Sequence, residues 1–529
     1  MRTSVLLVCG LAFLVSFFPI GESNDAWWHL KAGKLLWESE IGWYSQDPFT
    51  HTARDTVWIN HEWLAELLFY GAYIAGGLHG AIFFKTLIVT AIFVMVFLTA
   101  HRLARDGTPV SALHSALVAT CLAIPTAQFT LYLRPPIWTF LFLALYHHLF
   151  LKEKGRAPSW KTILMLTALM IFWANLHGGA ILGCVVVFLV AVGAWLQWSW
   201  LRGNGDRSIA IRWTYAAAII GVASLLNPYG FHLHKLTFDV MANPWVTARI
   251  GEMQPPRFEL IWTLPLLLIP AAIGVYRNGG WGERLVLVFL AWQGLQHVRH
   301  LPLLAIWAAP YTASMLSSYG FRLSRRPACI IYAVAAVIAI CYVVTVPGQR
   351  PKRFLECVAG KGWSDRNYPD RIADFILDND LKSDVLFARD TLSGFLIWKL
   401  SPEVMRTFTC SRFDLQGGIP IKESETMLWC GDREWIDPDT GAVIPDWKTL
   451  WNDRYQFDLV LLEKYNDVTP RKVFLLWAFL NDPKSDYVPV ATELWPIPEK
   501  KDQQFTLFMK KGTELERLML KIRQPEVFE

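Results

Sequence analysis

The stretch N-D-A-W-W-H-L-K-A-G-K-L-L-W-E, residues 24–38, opens the first long polar segment of the chain. It follows an apolar run, residues 4–20, and places the carboxylate of Asp25 where that run ends. Its amphipathic, Trp-rich pattern predicts a short helix, and N-H-E-W-L-A-E-L-L-F-Y-G-A-Y, residues 60–73, predicts a second one. The segment closes on G-G-L-H-G, residues 76–80, before the next apolar run.

The composition is typical of a membrane protein. Of the 529 residues, 53% are hydrophobic and 18% are charged, whereas a soluble protein carries charges on nearer a quarter of its residues. The 26 Trp and 32 Phe residues suit aromatic belts at the two membrane interfaces. The net charge of +5 is small and is explained by loop placement, so we expect membrane lipids and no nucleic acid as partners.

Eleven apolar runs are candidate membrane spans. The first, residues 4–20, fits either a cleaved signal peptide or a retained helix, and the lack of an A-x-A-type site after it favours a retained helix. The others lie at 81–100, 110–128, 136–151, 161–176, 180–201, 210–226, 258–276, 284–296, 301–319 and 328–346.

The loops between these runs alternate in charge. One set is short and basic, which predicts a cytoplasmic location: 101–105, 152–156, 202–212, 277–284 and 322–326. The other set is predicted to face the outside: 21–80, 134–136, 175–179, 227–257 and 297–300. Eleven spans from a cytoplasmic N-terminus also put residues 350–529 outside, so charge bias and span parity agree.

The predicted fold class is therefore mainly α: a polytopic membrane helix bundle of about 11 spans with a C-terminal extracytoplasmic α/β domain. We expect a transmembrane domain over residues 1–348, including the first outer loop at 21–80, and a soluble domain over residues 349–529. Localisation in the cell (plasma or inner) membrane follows from these spans.

The tail has the mixed pattern of a small α/β domain. Helices are predicted for R-I-A-D-F-I-L-D-N-D (371–380), V-F-L-L-W-A-F-L (473–480) and the charged stretch from Thr513 to Arg523. Strands are predicted for D-V-L-F-A (384–388), Y-Q-F-D-L-V-L-L (455–462) and Q-F-T-L-F-M (504–509). Outside the cell, one disulfide among Cys357, Cys410 and Cys430 is permitted, with one cysteine left over.

Acidic residues of the first loop are the first candidates for chemistry. Asp25 fits the N-cap of the following helix, and it also fits a partly desolvated carboxylate at the membrane boundary, basic enough to accept a proton from a hydroxyl. Glu62 and Glu66 share a helix face, where their repulsion favours a nearby cation or metal; the alternative is the solvated face of an interfacial helix. The loop tryptophans are interpreted as interface anchors ahead of sugar-stacking platforms: Trp27, Trp28, Trp58 and Trp63.

Basic and histidine side chains on the other predicted outer loops are the second set. Arg134 and Arg299 suit phosphate oxygens, or snorkel to lipid headgroups. His297 and His300, spaced i, i+3, fit a metal only weakly, because no carboxylate lies near them in sequence. His177 fits a packed histidine at a helix break better than a ligand. No Walker A, G-x-S-x-G or H-E-x-x-H motif occurs, so cytosolic ATP or nucleotide-sugar chemistry is not expected. A substrate handled on the outer face then comes from outside or is already tethered to lipid.

The first loop resembles that of the GT-C superfamily of membrane glycosyltransferases, which includes protein mannosyltransferases and aminoarabinose transferases. A nearer resemblance is to a group of mostly uncharacterised bacterial multi-pass proteins with the motifs D-x-W-W-H-L-x-x-G, D-P-F-S/T-x-T, H-E-W-L, R-P, N-L-H-G, N-P-Y-G and R-H-x-P-L. Here these motifs are residues 25–33, 47–52, 61–64, 134–135, 175–178, 227–230 and 299–303. The tail matches loosely: where relatives show G-G-Y-L and D-G-R, this chain has S-G-F-L (393–396) and C-S-R (410–412).

The resemblance implies transfer of a sugar from a polyprenyl-phosphate-linked donor to a lipid, glycan or protein acceptor on the outer face, with inversion. Asp25 matches the catalytic carboxylate of the superfamily and would act as general base. The substrate-binding candidates are His61, Glu62, Arg134, His177, Arg299 and His300. Metal dependence varies in the superfamily; a divalent cation remains open, with Glu62 and His297 as its candidate ligands.

A different class of function is a non-enzymatic transporter or envelope-assembly scaffold. Transporters usually carry inverted repeats around a site at the bilayer midplane, whereas this chain shows no convincing internal repeat and its polar residues crowd to one face. A polymerase or ligase of surface polysaccharide would share the substrates of a glycosyltransferase and differ in using a long acceptor.

Overall fold

The computed structural model describes residues 2–17, 23–106, 108–200, 206–257, 259, 261–321, 368–416, 418–464, 473–494, 504–513, 515 and 526–528. The chain forms two compact units. The helical unit comprises Met1–Ile20, His61–Phe238 and Thr247–Gly362, and the mixed unit comprises Gly21–Asn60, Asp239–Val246 and Trp363–Glu529. The first outer loop, which the sequence assigned to the transmembrane domain, is thus divided near residue 60, and its first part belongs with the tail.

The described residues up to 321 are mostly helical. The helices are α1 (Arg2–Ser16), α2 (Asn24–Trp37), α3 (Trp63–Leu103), α4 (Pro109–Ala127), α5 (Pro136–Lys152), α6 (Trp160–Leu176), α7 (Ala180–Trp200), α8 (Arg207–Ala223), α9 (His232–Ala242), α10 (Pro244–Arg249), α11 (Thr263–Asn278), α12 (Trp281–Gln296) and α13 (Leu301–Ser318). Every predicted apolar run in the described residues overlaps one of these helices. The run at 328–346 lies outside the described residues.

The second amphipathic helix of the first loop is continuous with the next apolar run. Both form α3, 41 residues long, with a break at Gly76 and Gly77. Gly77 has φ +59°, a conformation that glycine adopts without the steric cost of a side chain. Gly76 and Gly77 therefore divide α3 into two helical segments that meet at a kink, which agrees with the predicted amphipathic helix and the separate apolar run after it.

Hydropathy of the helices agrees with a membrane protein. Among the described residues, three helices are long and apolar enough to cross a membrane: α3, α7 and the helix over Pro109–Thr130 that contains α4. Arg2–Ser16 and Trp160–Leu176 are shorter and also apolar.

Helix α13 lies at the centre of the helical unit. All residues from 301 to 314 are buried, and α13 packs against α3, α4, α5, α11 and α12. A Cβ on Gly274 of α11 would come within 2.1 Å of the carbonyl oxygen of Tyr311. The two helices therefore approach at backbone distance, as small residues allow in membrane bundles.

The mixed unit holds the α/β elements of the tail. Its helices are α14 (Asp370–Asp378), α15 (Asp390–Leu400), α16 (Phe413–Gln416), α17 (Ile419–Leu428) and α18 (Leu475–Leu480), and a π-helical turn covers Thr449–Tyr455. Its strands are β1 (Val385–Ala388), β2 (Arg406–Thr407), β3 (Trp435–Ile436), β4 (Val443–Ile444), β5 (Leu459–Glu463), β6 (Tyr487–Leu494), β7 (Gln504–Lys510) and β8 (Glu526–Phe528).

Six of these strands form one mixed sheet in the order β2-β1-β5-β7-β6-β8, and β3 pairs with β4 in a separate hairpin. β1 runs parallel to β2 and β5, while β7 is antiparallel to β5 and β6. β1 and β5 are buried along their whole length. A core of aromatic side chains, including Phe387, Phe408, Trp451 and Phe457, packs beside them.

The secondary structure predicted for the tail is largely confirmed. Helices α14 and α18 and strands β1, β5 and β7 fall on the predicted stretches, although Tyr455 ends the π-helical turn instead of starting a strand. The predicted last helix and Cys357 lie largely or wholly outside the described residues. Cys410 and Cys430 are both free thiols.

Part of the first loop completes the tail sheet at its short edge strand. The N–H of His51 donates to the carbonyl oxygen of Thr407 at 2.8 Å, and the N–H of Thr407 donates to that of Phe49 at 3.1 Å. The D-P-F-T motif therefore covers an edge that would otherwise present unpaired backbone groups.

Glu493 makes the stability of this unit depend on pH. It is buried in β6, where its Oε2 accepts the N–H of Ile372 at 3.2 Å. Burial raises the pKa of Glu493 to about 7, and the charge of Asp370 acts in the same direction. The folded state therefore holds this proton more tightly than the unfolded chain, whose Glu pKa is about 4.3. The resulting stabilisation is complete below about pH 4 and lost as the pH rises through about 7.

We expect Glu493→Gln, which keeps an acceptor for Ile372, to stabilise the protein at pH 8 by an amount on the order of 2 kcal/mol and to change little at pH 5. The apparent melting temperature of the purified full-length protein in detergent at both pH values measures this. Glu434→Gln, at an exposed carboxylate, is the matched control and should have no effect at either pH. Equal stabilisation by Glu493→Gln at pH 5 and pH 8 would contradict the assignment.

Candidate functional site

Asp25 lies in the first turn of α2, as its second residue. The N-cap is Ser23, so the interpretation of Asp25 as the N-cap is wrong. The Oδ1 atom of Asp25 accepts the hydroxyl of Ser411 at 2.7 Å and the indole N–H of Trp28 at 3.4 Å. The N-terminal end of a helix stabilises a carboxylate, and these two donors fix the orientation of this one.

The tail motifs that matched relatives only loosely lie against the first loop. Asn24 accepts the N–H of Gly394 at 3.0 Å, and a Cβ on that glycine would come within 2.0 Å of the Asn24 carbonyl oxygen. The ring of Trp27 packs edge-on against Phe395, with centroids 5.5 Å apart. The S-G-F-L stretch thus packs against the start of α2, and Gly394 is required because the Asn24 backbone lies too close for a side chain.

The C-S-R stretch supplies two contacts from consecutive residues. Ser411 bonds Asp25, and Arg412 forms an ion pair with Asp47, Nη2 to Oδ1 at 2.5 Å. The Arg412 side chain is 1% exposed and that of Asp47 is 0% exposed. The Asp47 carboxylate also accepts the N–H of Phe49 at 3.2 Å and that of Thr50 at 3.1 Å, so it caps the D-P-F-T turn while it holds the arginine.

Aromatic rings surround this buried pair. The guanidinium carbon of Arg412 lies 4.7 Å from the ring centroid of Trp58, 5.0 Å from that of Phe49 and 5.6 Å from that of Trp28. Burial disfavours the charge on Arg412, but the Asp47 carboxylate outweighs it and raises the pKa of the arginine. We call these five residues the arginine cage.

Three loop tryptophans are therefore not interface anchors, since Trp58, which is 4% exposed, is part of the arginine cage. Trp27 and Trp28 are 0% and 7% exposed in the mixed unit, where they pack on residues of the tail. Sequence reasoning missed Ser411 and Arg412 as site residues, since the D-G-R of relatives is replaced by C-S-R. The sequence signal that could have identified Ser411 and Arg412 is their position in the C-S-R stretch.

In the helical unit, two sequence motifs meet residue by residue. The indole N–H of Trp63 donates to Oδ1 of Asn175 at 3.3 Å, and Nε2 of His177 lies 3.4 Å from Oε1 of Glu62. The ring of His61 packs on Gly178, where a Cβ would come within 3.1 Å of the ring. The H-E-W and N-L-H-G segments thus run side by side, which brings the predicted residues His61, Glu62 and His177 together.

Both predicted arginines lie within electrostatic range of this group. Burial lowers the pKa of His177 well below its ordinary value, and the positive charges of His61, Arg299 and Arg134 act in the same direction. His177 is therefore a neutral donor and acceptor at physiological pH, beside two permanent cations.

A short 3₁₀ turn, Gly251–Met253, organises the basic residues and was not singled out by the sequence. Glu252 forms an ion pair with Arg134, Oε1 to Nη1 at 2.8 Å. The carbonyl oxygen of Met253 accepts Nδ1–H of His297 at 2.6 Å, and its sulfur lies 3.7 Å from Nη1 of Arg299. The R-P and R-H-x-P-L motifs are thus joined through one turn of the predicted outer loop 227–257.

His300 lies beside His297, with ring centroids 5.3 Å apart. Burial lowers the pKa of His300 to about 3, with the charges of Arg299 and His297 adding to the effect, so this histidine is also neutral. Within the described part of the chain, no group of three or more His, Cys, Asp or Glu side chains is arranged to hold a metal ion.

The candidate residues therefore form two clusters, one in each unit. The acidic cluster of the mixed unit consists of Asp25 and its two donors, Ser411 and Trp28. It offers a hydrogen-bonded carboxylate at a helix N-terminus, suited to accept a proton. The histidine–arginine cluster of the helical unit consists of His61, Glu62, Arg134, His177, Arg299 and His300. It offers imidazoles, of which those of His177 and His300 are neutral, a carboxylate and two guanidinium groups, suited to bind hydroxyl and phosphate oxygens.

No protein-family model and no curated protein sequence matches this chain. The fold, however, is similar to those of solved ArnT and oligosaccharyltransferase structures, which agrees at the level of the fold with the resemblance noted in the sequence. The chain is a mainly helical membrane protein with a C-terminal α/β region.

Two solved structures show this likeness along most of the chain. ArnT from Cupriavidus metallidurans bound to undecaprenyl phosphate is 12% identical, with a TM-score of 0.52 over 97% of this chain and 98% of that one. Archaeal oligosaccharyltransferase AglB from Archaeoglobus fulgidus, in complex with an inhibitory peptide and a dolichol-phosphate, is 10% identical, with a TM-score of 0.54 over 87% of this chain and 69% of that one. At these identities the likeness concerns the fold.

The arginine cage yields a stability prediction. Arg412→Met leaves the Asp47 carboxylate buried without its partner, which should destabilise the mixed unit by about 3–5 kcal/mol. Adding Asp47→Asn to Arg412→Met should recover part of this loss, because the unpaired charge is then removed. Apparent melting temperatures of the wild type, of Arg412→Met and of the double variant measure this loss and its partial recovery.

Arg54→Met is the matched control for Arg412→Met, because Arg54 lies in the loop that contains Asp47 and bonds Asp384 at 3.4 Å as an exposed pair. Such pairs contribute about 0–1 kcal/mol. A melting temperature for Arg412→Met as high as that of Arg54→Met would rule out the structural role of the cage.

Proposed function

We propose that this protein is a membrane glycosyltransferase that moves a sugar from a polyprenyl-phosphate-linked donor to an acceptor on the outer face of the membrane. The observation that carries the proposal is the likeness in fold, over 97% of the chain, to ArnT bound to undecaprenyl phosphate. The complex of AglB with a dolichol-phosphate supports the same class of donor. A polyprenyl phosphate is itself a leaving group, so no nucleotide is required.

Asp25 is the proposed general base. Its carboxylate removes the proton of the acceptor hydroxyl as the hydroxyl oxygen bonds to the anomeric carbon. The bond from that carbon to the phosphate oxygen breaks in the same step, and the polyprenyl phosphate leaves with the electron pair. A single displacement inverts the anomeric centre. The hydrogen bonds from Ser411 and Trp28 to Oδ1 hold the carboxylate in one orientation, which supports a role in positioned proton transfer.

Arg134 and Arg299 are the proposed partners of the phosphate. Negative charge grows on the phosphate as it departs, and guanidinium groups placed beforehand stabilise such charge. Both lie close enough to His177 for their charges to lower its pKa, so two guanidinium groups are available beside that ring. Glu62, His61, His177 and His300 are proposed to bind the sugar or phosphate through hydrogen bonds.

The acceptor is a lipid, glycan or protein on the outer side. In the proposed topology the chain spans the cell membrane about eleven times, begins in the cytoplasm, and keeps its tail outside. The alternation of basic and non-basic loops supports this arrangement.

Asp25→Asn should reduce sugar transfer by at least about 10²-fold, the usual contribution of a general base, because the amide cannot accept the proton. Asparagine retains an acceptor for the Ser411 hydroxyl, so expression and melting temperature should stay unchanged. Mass spectrometry of envelope glycans and lipid-linked sugars in a deletion strain carrying each variant measures transfer.

Asp55→Asn is the matched control, because Asp55 is an exposed carboxylate of the same loop. It should leave transfer unchanged. Full transfer by a stable Asp25→Asn protein would refute the proposed base and, with it, this assignment of function.

Reporter fusions test the topology. Alkaline phosphatase fused after residue 257 or at the C-terminus should be active, because these positions are proposed to lie outside. A fluorescent protein fused after Lys154 or after Asn278 should fluoresce, because these loops are proposed to lie in the cytoplasm. The same reporter behaviour on both sets of loops would contradict the arrangement.

A further inference from the structure

A chain of hydrogen bonds ends on the ring of His177. Trp173 of α6 donates its indole N–H to Oγ1 of Thr139, in α5, at 2.9 Å. That hydroxyl oxygen lies 2.8 Å from Nδ1 of His177, and the backbone N–H of Gly179 donates to the same Nδ1 at 3.1 Å.

The direction of each bond follows from what each group is able to do. An indole N–H and a backbone N–H only donate. Nδ1 of His177 therefore carries no proton, since it accepts from Gly179. The hydroxyl of Thr139 accepts from Trp173 and donates its own proton to Nδ1. In the neutral ring the remaining proton must then sit on Nε2.

The surroundings hold this arrangement rigidly. Trp173 is 0% exposed and Thr139 is 5% exposed, so water does not compete for their bonds. The Trp173 ring stacks on Phe142, with centroids 5.6 Å apart. A Cβ on Gly179 would come within 2.5 Å of the Thr139 hydroxyl and 2.6 Å of Nδ1. The second glycine of the H-G-G stretch is therefore required for its N–H to reach the ring.

Nε2 of His177 lies 3.4 Å from Oε1 of the Glu62 carboxylate, and Nε2 of His61 lies 3.8 Å from the same oxygen. A metal bound by a histidine takes the lone pair of one ring nitrogen, and the other nitrogen usually donates an N–H to a carboxylate or carbonyl. Here the lone pair of Nδ1 already accepts from Thr139 and Gly179, and Nε2, the nitrogen beside Glu62, carries the proton and has no lone pair for a metal. The residues present do not fit a divalent cation shared by Glu62 and His177.

We propose that His177 is a positioning residue, locked as its Nε2–H tautomer, which orients the Glu62 carboxylate to accept a hydrogen bond from a hydroxyl group of the donor sugar. Glu62 is thereby a sugar-binding carboxylate and not a ligand of a metal held with His177. The inference rests on the proposed function for the identity of the sugar. The tautomer rests on the contacts alone.

The tautomer is tested by ¹⁵N NMR of the full-length protein labelled at histidine, with the His177 signals assigned by their loss in His177→Asn. We expect an unprotonated Nδ1 and a protonated Nε2, and no broadening of these signals by Mn²⁺ at concentrations that leave the other histidines unaffected. A proton on Nδ1, or selective broadening by Mn²⁺, would overturn the proposal. This measurement needs no enzymatic activity.

The functional consequence is tested with Thr139→Val, which removes the hydroxyl and keeps the shape of the side chain. We expect the KM for the lipid-linked donor to rise about tenfold while kcat changes little, as for the loss of a binding contact. Thr139→Ser should restore the wild-type KM. Thr120→Val is the matched control, because the hydroxyl of Thr120 is buried in α4 and bonds only the Ala116 carbonyl among the described contacts.

The two proposals fail separately. If Asp25→Asn keeps full transfer, the proposed function falls, and the NMR result still decides the tautomer. If Asp25→Asn abolishes transfer but Thr139→Val behaves like the Thr120→Val control, the enzyme assignment stands and the positioning role of His177 is refuted.

Discussion

The ion pair between Arg412 and Asp47 is the constraint on which the mixed unit depends. A guanidinium and a carboxylate that are both removed from water must bond each other, since either one alone would cost several kcal/mol. Their sequence separation is 365 residues, so this bond fixes the D-P-F-T turn against the tail. The same turn pairs its backbone with the edge strand β2. With the turn held there, Trp28 of α2 packs against Arg412, and Asp25 at the start of α2 bonds Ser411.

The tail is thus part of the acidic cluster. Gly394 admits the backbone of Asn24, and Ser411 supplies the hydroxyl that orients Asp25. A glycine at position 411 would not provide that hydrogen bond, and the next residue, Arg412, carries the buried charge that pairs with Asp47.

In the helical unit, electrostatics and hydrogen-bond direction together define the histidine–arginine cluster. Burial and the neighbouring arginines keep His177 uncharged, so it does not add to the repulsion between cations. A neutral ring has one donor and one acceptor, and the contacts of Nδ1 leave its donor for Glu62. The Gly251–Met253 turn holds Arg134 through Glu252 and contacts two further basic residues. A segment without any apolar pattern therefore contacts residues from two motifs.

The sequence alone determined the elements and their chemistry. Apolar runs and turn residues predicted most helices of the bundle and five elements of the tail, because burial of a helix stripe or a strand face imposes a period on the chain. Motif positions also named Asp25, His61, Glu62, Arg134, His177 and Arg299. Only the tertiary structure decided which of these residues are neighbours, that the first loop belongs with the tail, and which nitrogen of His177 carries the proton. Those features arise from contacts between residues far apart in the chain, such as Asp47 with Arg412 and Thr139 with His177, and such contacts leave no periodic trace in a single sequence.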